Sequence, residues 1–258
     1  MRKLFLIILS LAIAFSSSAQ KSKKEKRDRQ RKRVDAMIKQ EEEGVITYKK
    51  HTAFGGKLIN NGYGAFIEIG RAKTVKKAML YQFELSEYKS LKEEKQNNLY
   101  NFSTPFSYGK QNFFYPVKLG VQQQVLFGNK SNKSGVTITG NYGGGLSIGL
   151  LRPYYVQLSA TGNYVKFESA DSSKFLDPTA ISSGPGFGKG WSDLQVIPGA
   201  YLKTALRFDY GSYNEIVSAL EVGIVGDFYS KKFPIMVHDS QRQFFFTGYV
   251  AIIFGRRK

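Results

Sequence analysis

Val136-Thr137-Ile138-Thr139-Gly140-Asn141-Tyr142-Gly143-Gly144-Gly145-Leu146-Ser147-Ile148-Gly149-Leu150 is the stretch that decides the fold. Val136, Ile138, Gly140, Tyr142, Gly144, Leu146, Ile148 and Leu150 fall on one side. Thr137, Thr139, Asn141, Gly143, Gly145, Ser147 and Gly149 fall on the other. Successive residues of a strand point to opposite faces, so this is a strand with one greasy and one polar face. It is also far longer than the ~5–6 residues usual in soluble sheets. A strand crossing a bilayer within a barrel has this appearance, apolar towards lipid and polar towards the lumen.

Seven further segments read with the same period. Tyr63, Ala65, Ile67 and Ile69 alternate with Gly64, Phe66, Glu68 and Gly70. Met79, Tyr81, Phe83 and Leu85 alternate with Leu80, Gln82, Glu84 and Ser86. Tyr115, Val117, Leu119 and Val121 oppose Pro116, Lys118, Gly120 and Gln122. A fifth strand in chain order is expected through Tyr154, Val156, Leu158, Ala160 and Tyr164. The sixth sets Leu202, Thr204, Leu206, Phe208 and Tyr210 against Lys203, Ala205, Arg207 and Asp209. The seventh sets Leu220, Val222, Ile224 and Phe228 against Glu221, Gly223 and Asp227. The last runs from Phe246 to Phe254. The fold class expected is all-β, an eight-stranded antiparallel transmembrane β-barrel over residues 53–258.

The polar face carries charges of both signs: Glu68, Glu84, Lys118, Lys203, Arg207, Asp209, Glu221 and Asp227. In a soluble sandwich or lipocalin-like barrel such groups on the core face are costly. Inside a narrow barrel they are expected to neutralise one another as a lumen charge network. Twenty Phe and 16 Tyr supply strand-favouring aromatics, and 26 Gly suit turns and close strand packing.

The N-terminus sets the compartment. Arg2 and Lys3, an apolar run from Leu4 to Phe15, and Ser17-Ser18-Ala19 form the layout of a secretory signal peptide, residues 1–19. The run is too short for a comfortable membrane helix, which needs ~20 residues. The chain has no cysteine, hence no disulfide, thiolate metal site or thiol nucleophile. Export and a barrel together imply the outer membrane of a Gram-negative cell, with the mature N-terminus in the periplasm.

Residues 20–52 read as a basic periplasmic arm. Between Lys21 and Arg33, Lys21, Lys23, Lys24, Lys26, Arg27, Arg29, Arg31, Lys32 and Arg33 outnumber Glu25 and Asp28, and an acidic run, Glu41, Glu42 and Glu43, follows. Glu25 with Arg29, and Asp28 with Lys32, are spaced to support a helix. One reading is a solvated tail. The sharper one is contact with an anionic partner such as phospholipid headgroups. Export and the absence of aromatics between Lys21 and Arg33 argue against nucleic acid.

Loop lengths test the assignment, because outer-membrane barrels have short inner turns and longer outer loops. The 169–192 and 230–242 connections fit as outer loops, and Leu151-Arg152-Pro153 and 211–215 as inner turns. Two do not: 72–77 is short for an outer loop, and 89–112 is long for an inner one. Either 89–112 is an ordered excursion or one strand is mis-assigned; 53–59 is the candidate for a missed strand, broken by Gly55-Gly56.

For catalysis the chain offers two histidines. His51 is expected before the barrel, and His238 in an outer loop beside Asp239 and Ser240. Adjacent side chains rarely converge, so these three make no triad by sequence. Neither Gly143-Gly144-Gly145 nor Gly184-Pro185-Gly186-Phe187-Gly188 has the ending of a phosphate loop, and no metal-ligand spacing is present. No cofactor is expected. Eight strands leave an interior that side chains fill, which disfavours a diffusion pore.

The stretch from Tyr142 through Leu151-Arg152-Pro153 to Tyr155 resembles a recurrent segment of small outer-membrane barrels of Bacteroidetes. Glu221-Val222-Gly223, Lys231-Lys232-Phe233-Pro234-Ile235-Met236 and the ending Phe254-Gly255-Arg256-Arg257 share the resemblance. It covers the chain from about Phe54 onwards, implies outer-membrane location, and supplies no activity and no functional residues. The expected function is a non-enzymatic barrel embedded in outer-membrane lipid, a structural or accessory component of an envelope complex. The alternatives are a lipid-modifying enzyme using His238, and a narrow channel or ligand-binding barrel.

Overall fold

The computed structural model describes residues 49–74, 76–96, 104–129, 135–168, 172–211 and 215–257. The expected signal peptide, and the arm up to residue 48, lie outside them. Eight long strands form the wall: β1 (Lys50–Ile59), β2 (Gly62–Thr74), β3 (Lys77–Tyr88), β4 (Asn112–Gly128), β5 (Thr137–Pro153), β6 (Gln195–Asp209), β7 (Ile216–Phe233) and β8 (Arg242–Arg257). Each pairs antiparallel with its sequence neighbours, and β1 pairs with β8 from His51↔Arg257 to Ile59↔Tyr249. The sheet is therefore a closed barrel.

Period two sorts the side chains. Phe54, Leu58, Ile67, Phe83, Leu119, Leu146, Leu202 and Phe246 point outwards, and Leu202 is 74% exposed. Between Thr52 and Leu58, Tyr63 and Ile69, Met79 and Leu85, Tyr115 and Phe127, Ile138 and Leu150, Val196 and Phe208, Ile216 and Phe228, and Phe244 and Phe254, no outward residue is charged. An apolar girdle this continuous far exceeds the few hundred Å² that a soluble monomer leaves in water. No helix among the described residues is long and apolar enough to cross a membrane; the strands do so. The chain is a transmembrane β-barrel.

One expected strand is not in the wall. Tyr155–Leu158 and Tyr164–Lys166 pair with each other, and Ile181–Ser183 adds a third strand, in a small sheet outside the barrel. Pro153 ends β5, and Gly162 at φ +67° turns the hairpin. The missing wall strand is β1, which contains 53–59 and begins at Lys50. His51 lies on it, inside the barrel, rather than before it.

This exchange corrects the loops. The 60–61, 89–111, 154–194 and 234–241 connections now share one end. The 75–76, 129–136 and 210–215 turns share the other with both strand termini. The connection that looked too long for an inner turn is a loop of the long-loop end. The short 72–77 segment, expected outside, lies at the opposite end, with both strand termini.

Two variants separate the roles of the competing segments. Replacing 155–192 with a short Gly/Ser turn is expected to keep heat-modifiable gel mobility. Deleting 50–59 is expected to abolish it, since β2 and β8 lose the strand that joins them.

Candidate functional site

The inward faces place all eight sequence-read charges in the barrel interior, together with Lys57 and His51 of β1, all of them buried. Seven of the eight join Lys57 and His51 in one chain of contacts, whose two halves meet where the Lys57 ammonium lies 4.2 Å from the centroid of the Tyr249 ring. Arg207 forks onto Glu68 at 2.5 and 2.8 Å and reaches Glu221 at 2.6 and 2.8 Å. His51 Nε2 is 3.2 Å from Glu68. Lys203 lies 2.9 Å from Glu221 and donates to Gln82, which also contacts Gln122. Tyr249 and Asn141 donate to Glu221 at 2.6 and 2.9 Å. Nearer the long loops, Lys57 donates to both oxygens of Glu84 at 2.7 and 2.8 Å. Lys118 sits 2.8 Å from Asp227 and 3.8 Å from Glu84, and Tyr88 donates to Asp227. Asp209 stands apart from this chain at the terminal rim, paired with Arg257.

Between the rims, Lys57, Lys118, Lys203 and Arg207 face Glu68, Glu84, Glu221 and Asp227, so formal charge cancels. Sequence reading missed Lys57 and placed His51 before the barrel, because β1 was not counted among the wall strands. The wall makes room for the large groups by omitting side chains. A Cβ on Gly70 would stand 2.0 Å from the His51 ring, and one on Gly120 2.2 Å from the Tyr201 hydroxyl.

Above the charges, the long-loop end is filled by rings. Phe114 contacts Tyr88, Tyr229, Phe233 and Phe245 at centroid distances of 5.7, 5.2, 4.6 and 5.5 Å. Ser147 and Tyr229 share a hydrogen bond of 2.8 Å below them. The interior is thus packed with ion pairs and then with aromatics.

The long loops make a structured cap. Phe106, Tyr154, Val156, Phe175 and Ile181 form a second hydrophobic cluster, flanked by Tyr108, Phe113 and Phe167. Tyr154, Val156 and Leu158, read as a lipid-facing row, are buried; Tyr154 and Val156 belong to this cluster. Backbone bonds stitch the loops together: Gln111 and Asn112 donate to Ile235, Tyr154 to Gln111, Val237 to Gly109 and Gly184 to Thr104. Lys110 is tied to Glu93 at 2.7 and 2.8 Å, and burial holds its ammonium below the ordinary lysine range against the pull of that carboxylate.

His238 is exposed on this cap. The Asp239 carboxylate accepts from Ser90 and lies near Lys92 and Arg242, so its known partners are not His238. Gly143-Gly144-Gly145 runs within β5, and Gly184 to Gly188 is loop. Among the described residues no group of three or more His, Asp or Glu is placed to hold a metal ion.

No protein-family model and no curated protein matches the chain. Among solved structures, Neisserial surface protein A aligns over 81% of this chain and 96% of its own, with a TM-score of 0.38 and 9% identity. The N-terminal barrel domain of Pseudomonas aeruginosa OprF aligns over 81% and 98%, with a TM-score of 0.38 and 10% identity. Ail, the attachment invasion locus protein of Yersinia pestis, aligns over 81% and 96%, with a TM-score of 0.36 and 7% identity.

Removing one member of a buried ion pair strands the other in a medium that solvates it poorly, at a cost of about 3–5 kcal/mol. Arg207→Ala leaves Glu68 and Glu221 facing each other. It is expected to lower folding stability by about that amount, read from urea unfolding in lipid vesicles. Asp239→Asn, at the cap, is expected to change stability by less than about 1 kcal/mol.

Proposed function

We propose that this chain is a non-enzymatic barrel of a Gram-negative outer membrane, acting as a structural or accessory component of an envelope assembly. The observation that carries the reading is an interior occupied by paired charges and aromatic rings beneath a structured cap. Among the described residues, ion pairs and then aromatic rings fill the lumen, so the chain offers its surroundings two ends and a lipid-facing wall.

The short turns and both strand termini face the periplasm on this reading, and the capped end faces outwards. The terminal rim carries Lys50, Arg71, Lys73, Lys76, Lys77 and Arg256, all exposed, which extends the charge of the 21–33 run onto the barrel itself. A basic collar at this level suits the anionic headgroups of the inner leaflet, each cation contributing about 1 kcal/mol at most. The arm and the cap are the two docking elements. The lumen charge network is structural: it lets a narrow barrel hold long polar side chains without net charge.

Affinity purification from outer membranes, with and without residues 21–43, tests the docking role. A specific envelope protein is expected with the full chain and is expected to be depleted without the arm or with the 155–192 segment replaced. Recovery of no partner in any case overturns the accessory role. In planar bilayers the purified barrel is expected to show no steady conductance; a stable open channel would contradict the sealed lumen.

A further inference from the structure

The wall is uneven in height. β1, β2 and β3 have 10, 13 and 12 residues, whereas β4, β5, β7 and β8 have 17, 17, 18 and 16. At the long-loop end β1 stops at Ile59, opposite Tyr249, and Asn60 closes the ladder on Gly248. The part of β8 from Arg242 to Thr247 therefore rises above its neighbour. The tight turn at 60–61 forms a low lip in the wall.

A cleft of about 220 Å³ lies over this lip. Its polar lining includes Asn60, Lys89, Ser90, Lys92, Ser240 and Arg242, with Phe233 and Phe245 on the apolar side. Three cations and one carboxylate line it; the carboxylate, Asp239, lies 3.8 Å from Lys92 and 3.7 Å from Arg242. Those separations exceed the ~2.7–2.9 Å of a charge-assisted hydrogen bond, so Asp239 holds both cations loosely. The cleft has a positive excess and hydroxyl and amide groups beside it.

On the outer face of the wall runs a second depression, a groove of about 880 Å³. Small residues make its floor, Gly144, Ala200 and Gly226, and Leu202 and Phe228 line its sides. Phe244 and Phe246 line both cavities. A polar, cationic cleft and an apolar groove inside the lipid-covered belt thus share one wall.

We infer that the cleft and the groove together bind one saccharolipid, its phosphorylated sugar head over the β1–β2 lip and an acyl chain along Gly144, Ala200 and Gly226. The groove faces hydrocarbon, so an acyl chain is its occupant. The cleft fits about one phosphorylated sugar ring, whose phosphate meets Lys92 and Arg242 and whose hydroxyls meet Asn60, Ser90 and Ser240. This rests on the proposed outward orientation of the capped end, since lipids of this class, lipid A among them, populate the outer leaflet.

The test uses the purified full-length protein in detergent, with native mass spectrometry of added bis-phosphorylated lipid A, dephosphorylated lipid A and phosphatidylglycerol. The expected order has bis-phosphorylated lipid A tightest. Lys92→Gln with Arg242→Gln is expected to weaken it by roughly tenfold or more, two cations at about 1 kcal/mol each. Gly226→Leu is expected to weaken it too; a Cβ there meets Phe244 at 3.7 Å, an ordinary contact, so the added bulk enters the groove without moving the wall. Lys166→Gln, on the sheet outside the barrel, is the control and leaves binding unchanged. Equal affinity across all variants, or phosphatidylglycerol binding as tightly as lipid A, overturns the inference. Either result leaves the barrel reading intact provided the protein stays heat-modifiable; loss of that property in the unsubstituted chain counts against the barrel instead.

Discussion

Closure of the backbone ladder is the constraint from which the rest follows. Inside hydrocarbon no water is available to satisfy a peptide N–H or C=O, and each orphan costs several kcal/mol. A sheet in lipid must therefore have no edge. The pairing of β1 with β8 removes the last two edges, and it does so with the strand least visible in the sequence. Without Lys50–Ile59 the meander would end on the open sides of β2 and β8, in the layer where an open side is least tolerable.

Once eight strands close, the interior is narrow enough for side chains to fill. Charges placed there are far from bulk water, and one unpaired ion would be prohibitive. The barrel meets this by balance: every lumen cation lies against a carboxylate, and Glu221 and Asp227 gather extra donors from Tyr249, Asn141 and Tyr88. The hydrogen bonds explain why the polar face consists of long and varied groups. Arg207 has to span to two carboxylates on different strands, β2 and β7, and the guanidinium fork matches both.

Much of this was legible in the period-two pattern, and the failures have a physical cause. Seven wall strands announced themselves because their outward residues are large and apolar. β1 did not, because Gly55 and Gly56 sit at its centre and carry no side chain to register on either face. The segment 154–164 was misread for the opposite reason. Tyr154, Val156 and Leu158 alternate with polar residues because they cover the cap and its core, and alternation reports a two-faced strand without saying whether the apolar face meets lipid or protein. Pro153 and the Thr161-Gly162 turn were the local signs that the wall had ended. The charges were read correctly as inward residues, while their partners followed from a register that sequence alone does not fix; Lys57 and His51 were hidden with their strand. The cap's second core was out of reach, since it joins loops far apart in the chain.

A filled lumen also relocates whatever this protein does. A barrel with an open interior can select a solute along its axis. Here ion pairs and then Tyr88, Phe114, Tyr229, Phe233 and Phe245 block that axis. Chemistry that needs access must use the surface, and the surface is not uniform. The difference in strand length between β1–β3 and β4–β8 tilts the capped rim, and the low side is where cationic groups and aromatic wall come together. Side chains could have been chosen to fill the lip, but the tight turn at 60–61 leaves it low. The same closure that seals the centre thus leaves an asymmetric rim, and an asymmetric rim is what lets a barrel present one side to a lipid or a partner.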